Sequence, residues 1–378
     1  MKNIRVLHIM DKVSVDGSNI QGPARQLAYR APFYKKHGVE TLLCNLRVEA
    51  SACDILRKNN VNVVSLGRGK FDVFVIRDLQ KLVDAWEADI IHLSGYAAWT
   101  FGRMLKRKNS KVDFVLQEHF VDLKMPFYQK ILDRILKGRP SKGLAVSNSV
   151  KEFMYRERYI PLENIRVIGN GIPTKQITAP SDEEIEDLRN RYNIKAGSTI
   201  IGNLARLATM KGQRYFIEAA AEIKKSRDNV YFIIVGEGPL EADLRQLASE
   251  LGVLDKIIFA GYQENVYPFL KLFDVTVIAS IYGEGFCSVG IESFSVNTPL
   301  VITEHALVEN VYIDRNNCLV VPTGNALEIA RAVLEILDTD ISNKLIQGGT
   351  RMIQKCDSEI VASNYCSFYK ELLHGKDQ

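Results

Sequence analysis

The stretch Ser280–Glu292, reading S-I-Y-G-E-G-F-C-S-V-G-I-E, concentrates groups able to hold a polyhydroxylated or anionic ligand. Glu284 stands between Gly283 and Gly285 in a turn after a buried apolar run, and Glu292 falls on the helical segment beyond it. Carboxylates accept hydrogen bonds from hydroxyl groups, and glycines let backbone amides approach a ligand closely. The amides of Gly285, Phe286, Cys287 and Ser288 open that helix, and a helix N-terminus attracts anions. The same residues also suit a plain helix start with Glu292 exposed. A second cluster, Gly202–Gly212, places Arg206 and Lys211 just past another apolar run. Two cations there suit a diphosphate, the guanidinium by forked hydrogen bonds and the ammonium as a point charge. Alone, the pair fits ordinary surface cations better, since Lys and Arg are common in such turns.

Other motifs carry less. Gly236-Glu237-Gly238-Pro239 is a G-x-G without the third glycine of a dinucleotide fingerprint. Asp338-Thr339-Asp340 has the D-x-D form of a metal-binding string but lies at a helix end, where a solvated turn is expected. The six cysteines and six histidines show neither C-x-x-C nor H-E-x-x-H, which predicts free thiols and no protein-ligated zinc.

The elements that must position these groups alternate along the chain. Apolar runs at Ile4–Ile9, Glu40–Cys44, Val61–Ser65, Asp89–His92, Phe114–Gln117 and Gly143–Val146 predict buried strands, with helices such as Gln21–His37 and Phe101–Lys108 between them. The pattern repeats with strands at Thr199–Leu204, Val230–Val235, Ile257–Ala260, Val275–Ala279 and Pro299–Ile302. Helices are expected at Gln213–Ser226, Leu240–Leu251, Val266–Phe273 and Val289–Ser295. Continuous Val/Ile runs alternating with helices argue for parallel sheets covered on both faces. The fold class read from this is α/β, with two Rossmann-like doubly wound domains facing a central cleft. The domains are placed at 1–172 and 173–360, joined by the turn-rich stretch from Gly171 to Ser181, with residues 361–378 a helix packing back on the first.

At 378 residues, 46% hydrophobic and 25% charged, the composition is that of a soluble globular protein. The apolar run Val6–Met10 is too short for a signal peptide and no window suits a membrane span, so the expected location is cytoplasmic. The net charge of +4 is unevenly shared. Residues 1–170 carry 29 Lys and Arg against 17 Asp and Glu; residues 171–378 carry 20 against 28. Such asymmetry points the first half toward an anionic partner.

Together the clusters resemble the retaining glycosyltransferases of family 4, which have the GT-B fold. Gln21-Gly22-Pro23 sits where that family has its first glycine loop, and Asp89–His92 and Gln117-Glu118-His119 match two strand ends. Val146-Ser147 and Asn170-Gly171-Ile172 precede the linker. Arg206 with Lys211-Gly212, Val235–Pro239, Phe259-Ala260-Gly261 and the spaced glutamates follow in the family's order. The resemblance implies that Arg206 and Lys211 neutralise a nucleotide diphosphate leaving group. It assigns Glu292 to ribose hydroxyls and Glu284 to sugar hydroxyls, helped by the amides of Gly285, Phe286 and Cys287. Ser288, Gly236 and Tyr262 complete the donor-binding set. Gly22 would let its loop approach the phosphates, and His119 would lie over the donor sugar. A nucleotide sugar, UDP-sugar favoured, is the implied co-substrate, with no cofactor and no metal. Two departures stand out: Gln21 precedes Gly22 where a second glycine is common, and His305-Ala306 replaces a glycine pair ahead of Glu309.

The basic first half would then hold the acceptor: a glycan, a lipid-linked or another anionic molecule, as in envelope polysaccharide or glycolipid assembly. In Lys124–Lys142 the apolar residues Phe127, Ile131, Leu132, Ile135 and Leu136 recur at helical spacing among cations. That reads as a helix lying on the inner face of a membrane, or as one packing its apolar face on the sheet with its basic face solvated. Nucleic acid is not expected, since no stacking or groove-reading motif accompanies the cations. The rival classes are a nucleotide-sugar epimerase, which would isomerise donor without acceptor, and a binding protein that retains the scaffold without turnover.

Overall fold

The computed structural model describes residues 3–14, 20–106, 113–139 and 141–374, and the chain divides into two compact units. Unit 1 comprises Met1–Pro173 and Cys356–Gln378; unit 2 is Thr174–Lys355. The return to unit 1 therefore begins at Cys356, somewhat before the boundary at 361 read from the sequence.

Unit 1 holds strands β1 (Ile4–Met10), β2 (Val39–Asn45), β3 (Asn62–Ser65), β4 (Ile90–Ser94), β5 (Asp113–Glu118), β6 (Lys142–Ala145) and β7 (Ile165–Val167). They form one parallel sheet in the order β3-β2-β1-β4-β5-β6-β7. Around it lie helices α1 (Gly22–Tyr34), α2 (Ala52–Lys58), α3 (Val75–Trp86), α4 (Tyr96–Arg103), α5 (Phe127–Leu136) and α6 (Asn148–Arg158). Unit 2 holds α7 (Asp182–Arg191), β8 (Thr199–Leu204), α8 (Gln213–Lys224), β9 (Val230–Val235), α9 (Glu241–Glu250), β10 (Ile257–Gly261) and α10 (Tyr267–Leu272). It continues with β11 (Val275–Ile278), α11 (Ser288–Ser295), β12 (Leu300–Thr303), β13 (Leu319–Val321), α12 (Ala326–Asp338) and α13 (Ile341–Ile353). Its sheet is also parallel, ordered β10-β9-β8-β11-β12-β13. Helix α14 (Ser358–His374) then packs on α1 of unit 1.

The apolar runs are continuous because both sheet faces are covered. Side chains alternate across a strand. Ile201, Phe232 and Ile234 face one core with α8, α9 and α12, while Ile200, Ile233 and Val235 face the other with α7 and α10.

Three differences from the sequence reading stand out. Strands β7 and β13 were not anticipated; each has three residues and closes one edge of its sheet, too short to form a readable apolar run. Helix α4 starts at Tyr96 and not at Phe101, because the Asp11 carboxylate at the end of β1 accepts from the amides of Ala97 and Ala98. Residues 107 and 108 of the expected helix lie outside those described.

The third difference concerns α5. It buries Gln129, Asp133 and Leu136, and leaves Phe127, Ile131 and Ile135 exposed at 77%, 45% and 71%. The reading with the apolar face on the sheet is therefore corrected. Arg103 of α4 and Arg158 of α6 are both fully buried, and Asp133 pairs with each, with Arg158 at 2.8 Å. Arg158 also lies 3.8 Å above the Trp99 ring. Two buried guanidinium groups require a buried counter-charge, so the polar face of α5 turns inward.

Candidate donor site at the carboxyl end of the second sheet

In unit 2 the strand order reverses between β8 and β11, and ligands of open α/β sheets bind at the carboxyl ends of strands at such a switch point. Arg206 and Lys211 leave β8 there; Glu284 and Glu292 follow β11. The Lys211 ammonium meets Oε1 of Glu284 at 2.5 Å, and the Ser280 hydroxyl donates to the same oxygen at 2.6 Å. Burial penalises the Glu284 carboxylate, but Lys211, the Ser280 hydroxyl and His305 outweigh it and hold the carboxyl below its ordinary value. Burial likewise opposes the Lys211 ammonium, and the Glu284 carboxylate overcomes this and raises it, against repulsion from Arg206. Both groups stay charged at neutral pH, and Arg206 is exposed within electrostatic reach of them.

Backbone contacts lock the loops together. Gly212 has φ +64°, and a Cβ there would come within 2.0 Å of the Ala279 carbonyl oxygen; the Ile281 amide donates to Met210 at 2.8 Å. Gly236 has φ +134°, and a Cβ on it would meet the Ala205 carbonyl at 2.1 Å. Its amide donates to the Gly261 carbonyl at 2.8 Å, and the Leu207 amide donates to Glu237 at 2.9 Å. The G-x-G at the end of β9 thus supports the loop that carries Arg206. Tyr262, 39% exposed, follows β10 directly.

Helix α11 begins at Ser288 with Cys287 as its N-cap, a residue lacking the strong acceptor side chain of the usual caps. Gly285, Phe286 and Cys287 are buried, and burial raises the Cys287 thiol to about 12, so it is not a thiolate nucleophile at neutral pH. Glu292 lies on the buried face of α11, not on its solvated face. Two residues that sequence reasoning missed hold this turn. Ser280 fixes Glu284, and its own carbonyl accepts from Thr303 at 2.6 Å. The Tyr312 hydroxyl donates to the Cys287 carbonyl, and its ring packs where a side chain on Gly290 would stand, 2.5 Å from a Cβ. A glycine on the inner face of α11 is the only sequence trace of that contact.

His119 and Gly22 belong to unit 1. His119 follows β5, with a buried Nε2 that has no hydrogen-bond partner among the described residues. Burial, helped by the charges of Arg30 and His92, lowers it to about 3, so it is neutral. Glu118 beside it is pushed up to about 7 by burial, partly countered by Arg158. Gly22 opens α1, held by Gln21, whose side chain donates to the Ser14 carbonyl at 3.0 Å; a Cβ on Gly22 would meet nothing within 4 Å.

Asp338 ends α12 paired with Arg227, and Asp340 precedes α13. Among the described residues no cluster of three or more His, Cys, Asp or Glu is placed to hold a metal, all six cysteines are free, and no helix is long and apolar enough to cross a membrane.

Residues 20–176 match the model for glycosyltransferase family 4, and residues 184–352 match that for glycosyl transferases group 1. The chain is 24% identical over 315 residues to the putative glycosyltransferase EpsD of Bacillus subtilis, covering 76% of this chain and 78% of that protein. It is 31% identical over 186 residues to the lipopolysaccharide core biosynthesis glycosyltransferase LpsE of Rhizobium meliloti, covering 49% of this chain and 51% of that one. Among solved structures, a glycosyltransferase from Rickettsia africae superposes with a TM-score of 0.83 at 21% identity over 99% of both chains. Anabaena HepE in complex with UDP superposes with a TM-score of 0.81 at 18% identity over 98% of this chain and 100% of that one. With one glycosyltransferase model matched on each doubly wound unit, the chain belongs to the glycosyltransferases of the GT-B fold.

Proposed function

We propose that this protein is a retaining, metal-independent glycosyltransferase of family 4 that transfers a sugar from a nucleotide diphosphate, UDP favoured, to an anionic or lipid-linked acceptor in envelope glycan assembly. The observation that carries the reading is the grouping of Arg206, Lys211 and Glu284 at the β8–β11 switch point, beside the start of α11. Arg206 and Lys211, with the amides at that helix start, supply the positive field that a departing diphosphate needs, which is the work a divalent metal does elsewhere. Glu284 and Glu292 accept from hydroxyls of the sugar and the ribose. The family resemblance supports retention, with the leaving phosphate taking the acceptor's proton. The family resemblance assigns His119 to the donor sugar and Gly22 to the phosphates; within unit 1, His119 is neutral with a ring nitrogen unpartnered among the described residues, and a Cβ on Gly22 would meet nothing within 4 Å. The complexes of Anabaena HepE with UDP and with UDP-glucose favour a uridine donor. The basic half of the chain, and relatives in lipopolysaccharide core biosynthesis, favour an acceptor of the cell envelope on the cytoplasmic side.

A thermal-shift panel of UDP, GDP, ADP and TDP and their sugar conjugates, with and without EDTA, tests this. A shift of several degrees with one nucleotide, unchanged by EDTA and lost in Arg206→Ala, is expected. No shift, or one that needs a divalent metal, overturns the proposal.

A further inference from the structure

The outward stripe of α5 belongs to a larger surface. Phe127, Ile131 and Ile135 are spaced by four residues and line one side of the helix. The Phe71 ring, 69% exposed, stands edge-on to Tyr128 at 5.8 Å, which brings the exposed loop carrying Phe71 and Phe74 against the same helix. Single exposed apolar residues are common, but a contiguous set of this kind marks an interaction site. Cations rim it: Lys70, 5.4 Å from the Phe71 ring, with Lys124, Arg134, Lys137 and Arg139, all exposed. Buried Asp133 faces away from this surface and is neutralised by Arg103 and Arg158.

We propose that this face of unit 1, α5 with the Phe71–Phe74 loop, docks in the headgroup region of an anionic lipid bilayer. Charge complementarity names the occupant. An apolar stripe bordered by lysine and arginine fits a surface that offers acyl chains beneath a sheet of phosphates, whereas two copies of this chain would oppose cation to cation. The helix α5 is reached through the loop that leaves the carboxyl end of β5, where Glu118 and His119 stand, so a docked bilayer lies beside that end of the sheet. The inference deepens the reading of a lipid-linked acceptor and rests on it for its purpose, but the docking itself requires no donor.

The test is co-sedimentation of the full chain with phosphatidylcholine vesicles and with vesicles containing phosphatidylglycerol, at low and high salt. Binding to the anionic vesicles only, weakened by salt, is expected. Phe127→Ser with Ile135→Ser should weaken it at least about tenfold. Arg134→Gln with Lys137→Gln should lose about fivefold per cation removed. The melting temperature and the nucleotide-induced shift of each variant must remain those of the parent chain, which separates lost docking from lost folding or a failed donor site. Equal binding by parent and variants, no binding to either vesicle, or a dimer in solution that the serine pair dissolves would overturn the proposal.

Discussion

The Lys211 ammonium and the Glu284 carboxylate meet at 2.5 Å, joining the loop after β8 to the loop after β11 in one ion pair. The pair is preorganised by Ser280 and by the Gly212–Ala279 approach, so the cation is in place before any ligand arrives. Lys211→Met leaves a nearly buried carboxylate without its ion-pair partner, held by the Ser280 hydroxyl, and should destabilise unit 2 by roughly 3 kcal/mol while abolishing the nucleotide shift. Calorimetry of both variants checks this against Glu284→Gln, expected to cost about 1 kcal/mol.

The same pair sets an acid limb. The folded carboxyl lies below its ordinary value near 4.5, so its contribution is fully present above that value and is lost as pH falls through the lowered one. In Glu284→Gln the stability of unit 2 between pH 5 and 3 should fall less steeply than in the parent chain, read by denaturant titration at each pH.

Two glycines should respond in opposite ways. Gly212→Ala forces a side chain into left-handed backbone and into the Ala279 carbonyl, and should lower stability by about 2 kcal/mol or more. Gly22→Ala meets open space, so its stability should stay within about 0.5 kcal/mol of the parent while nucleotide-sugar turnover falls. Equal effects of the two on stability would remove the reason given for Gly22.

Unit 1 should weaken in mild acid. Burial pushes His8, His92 and His119 well below the ordinary histidine value of 6.5, the last two to about 3. Below about pH 6.5 the unfolded chain binds protons that these rings refuse, at up to about 1.4 kcal/mol per pH unit for each group. Glu118, raised to about 7, acts in the opposite sense between its ordinary value and 7. Urea midpoints should therefore drop from pH 7 to pH 5, less in His119→Asn and more in Glu118→Gln. Both tryptophans, Trp86 and Trp99, lie in unit 1, so tryptophan fluorescence, excited where tyrosine does not absorb, reports on it alone.

Removing Asp133 leaves Arg103 buried without its counter-charge and Arg158 with Glu118, 3.7 Å away, in its place. Asp133→Ala should destabilise unit 1 by roughly 3–5 kcal/mol, seen in the same fluorescence signal.

The strands of unit 2 were legible because they are buried on both faces and rich in Val and Ile, as at Val230–Val235. Glu284, Lys211 and Arg206 were legible because glycines and strand ends frame them. Tyr312 was not, since it reaches Cys287 from a distant loop through tertiary packing alone. The direction of α5 was misread for the opposite reason. Its helical period is plain, but which face turns inward is decided by Arg103 and Arg158, on two other helices. For Glu292 the helical period leaves open whether its face of α11 is buried or solvated, and packing against the rest of unit 2 makes it buried.

Helix α14 places Tyr365 and Tyr369 in the core of unit 1, where Tyr369 meets His92 at 2.8 Å, Gln117 donates to Tyr365 at 2.6 Å, and Arg30 stacks on Tyr365 at 4.0 Å. Residues 174–355, the whole of unit 2, are synthesised between the two parts of unit 1. On the ribosome the second unit can therefore mature while the first still lacks its closing helix. Unit 1, begun before unit 2, is completed after it, and for that interval Arg30 and His92 wait for their tyrosines.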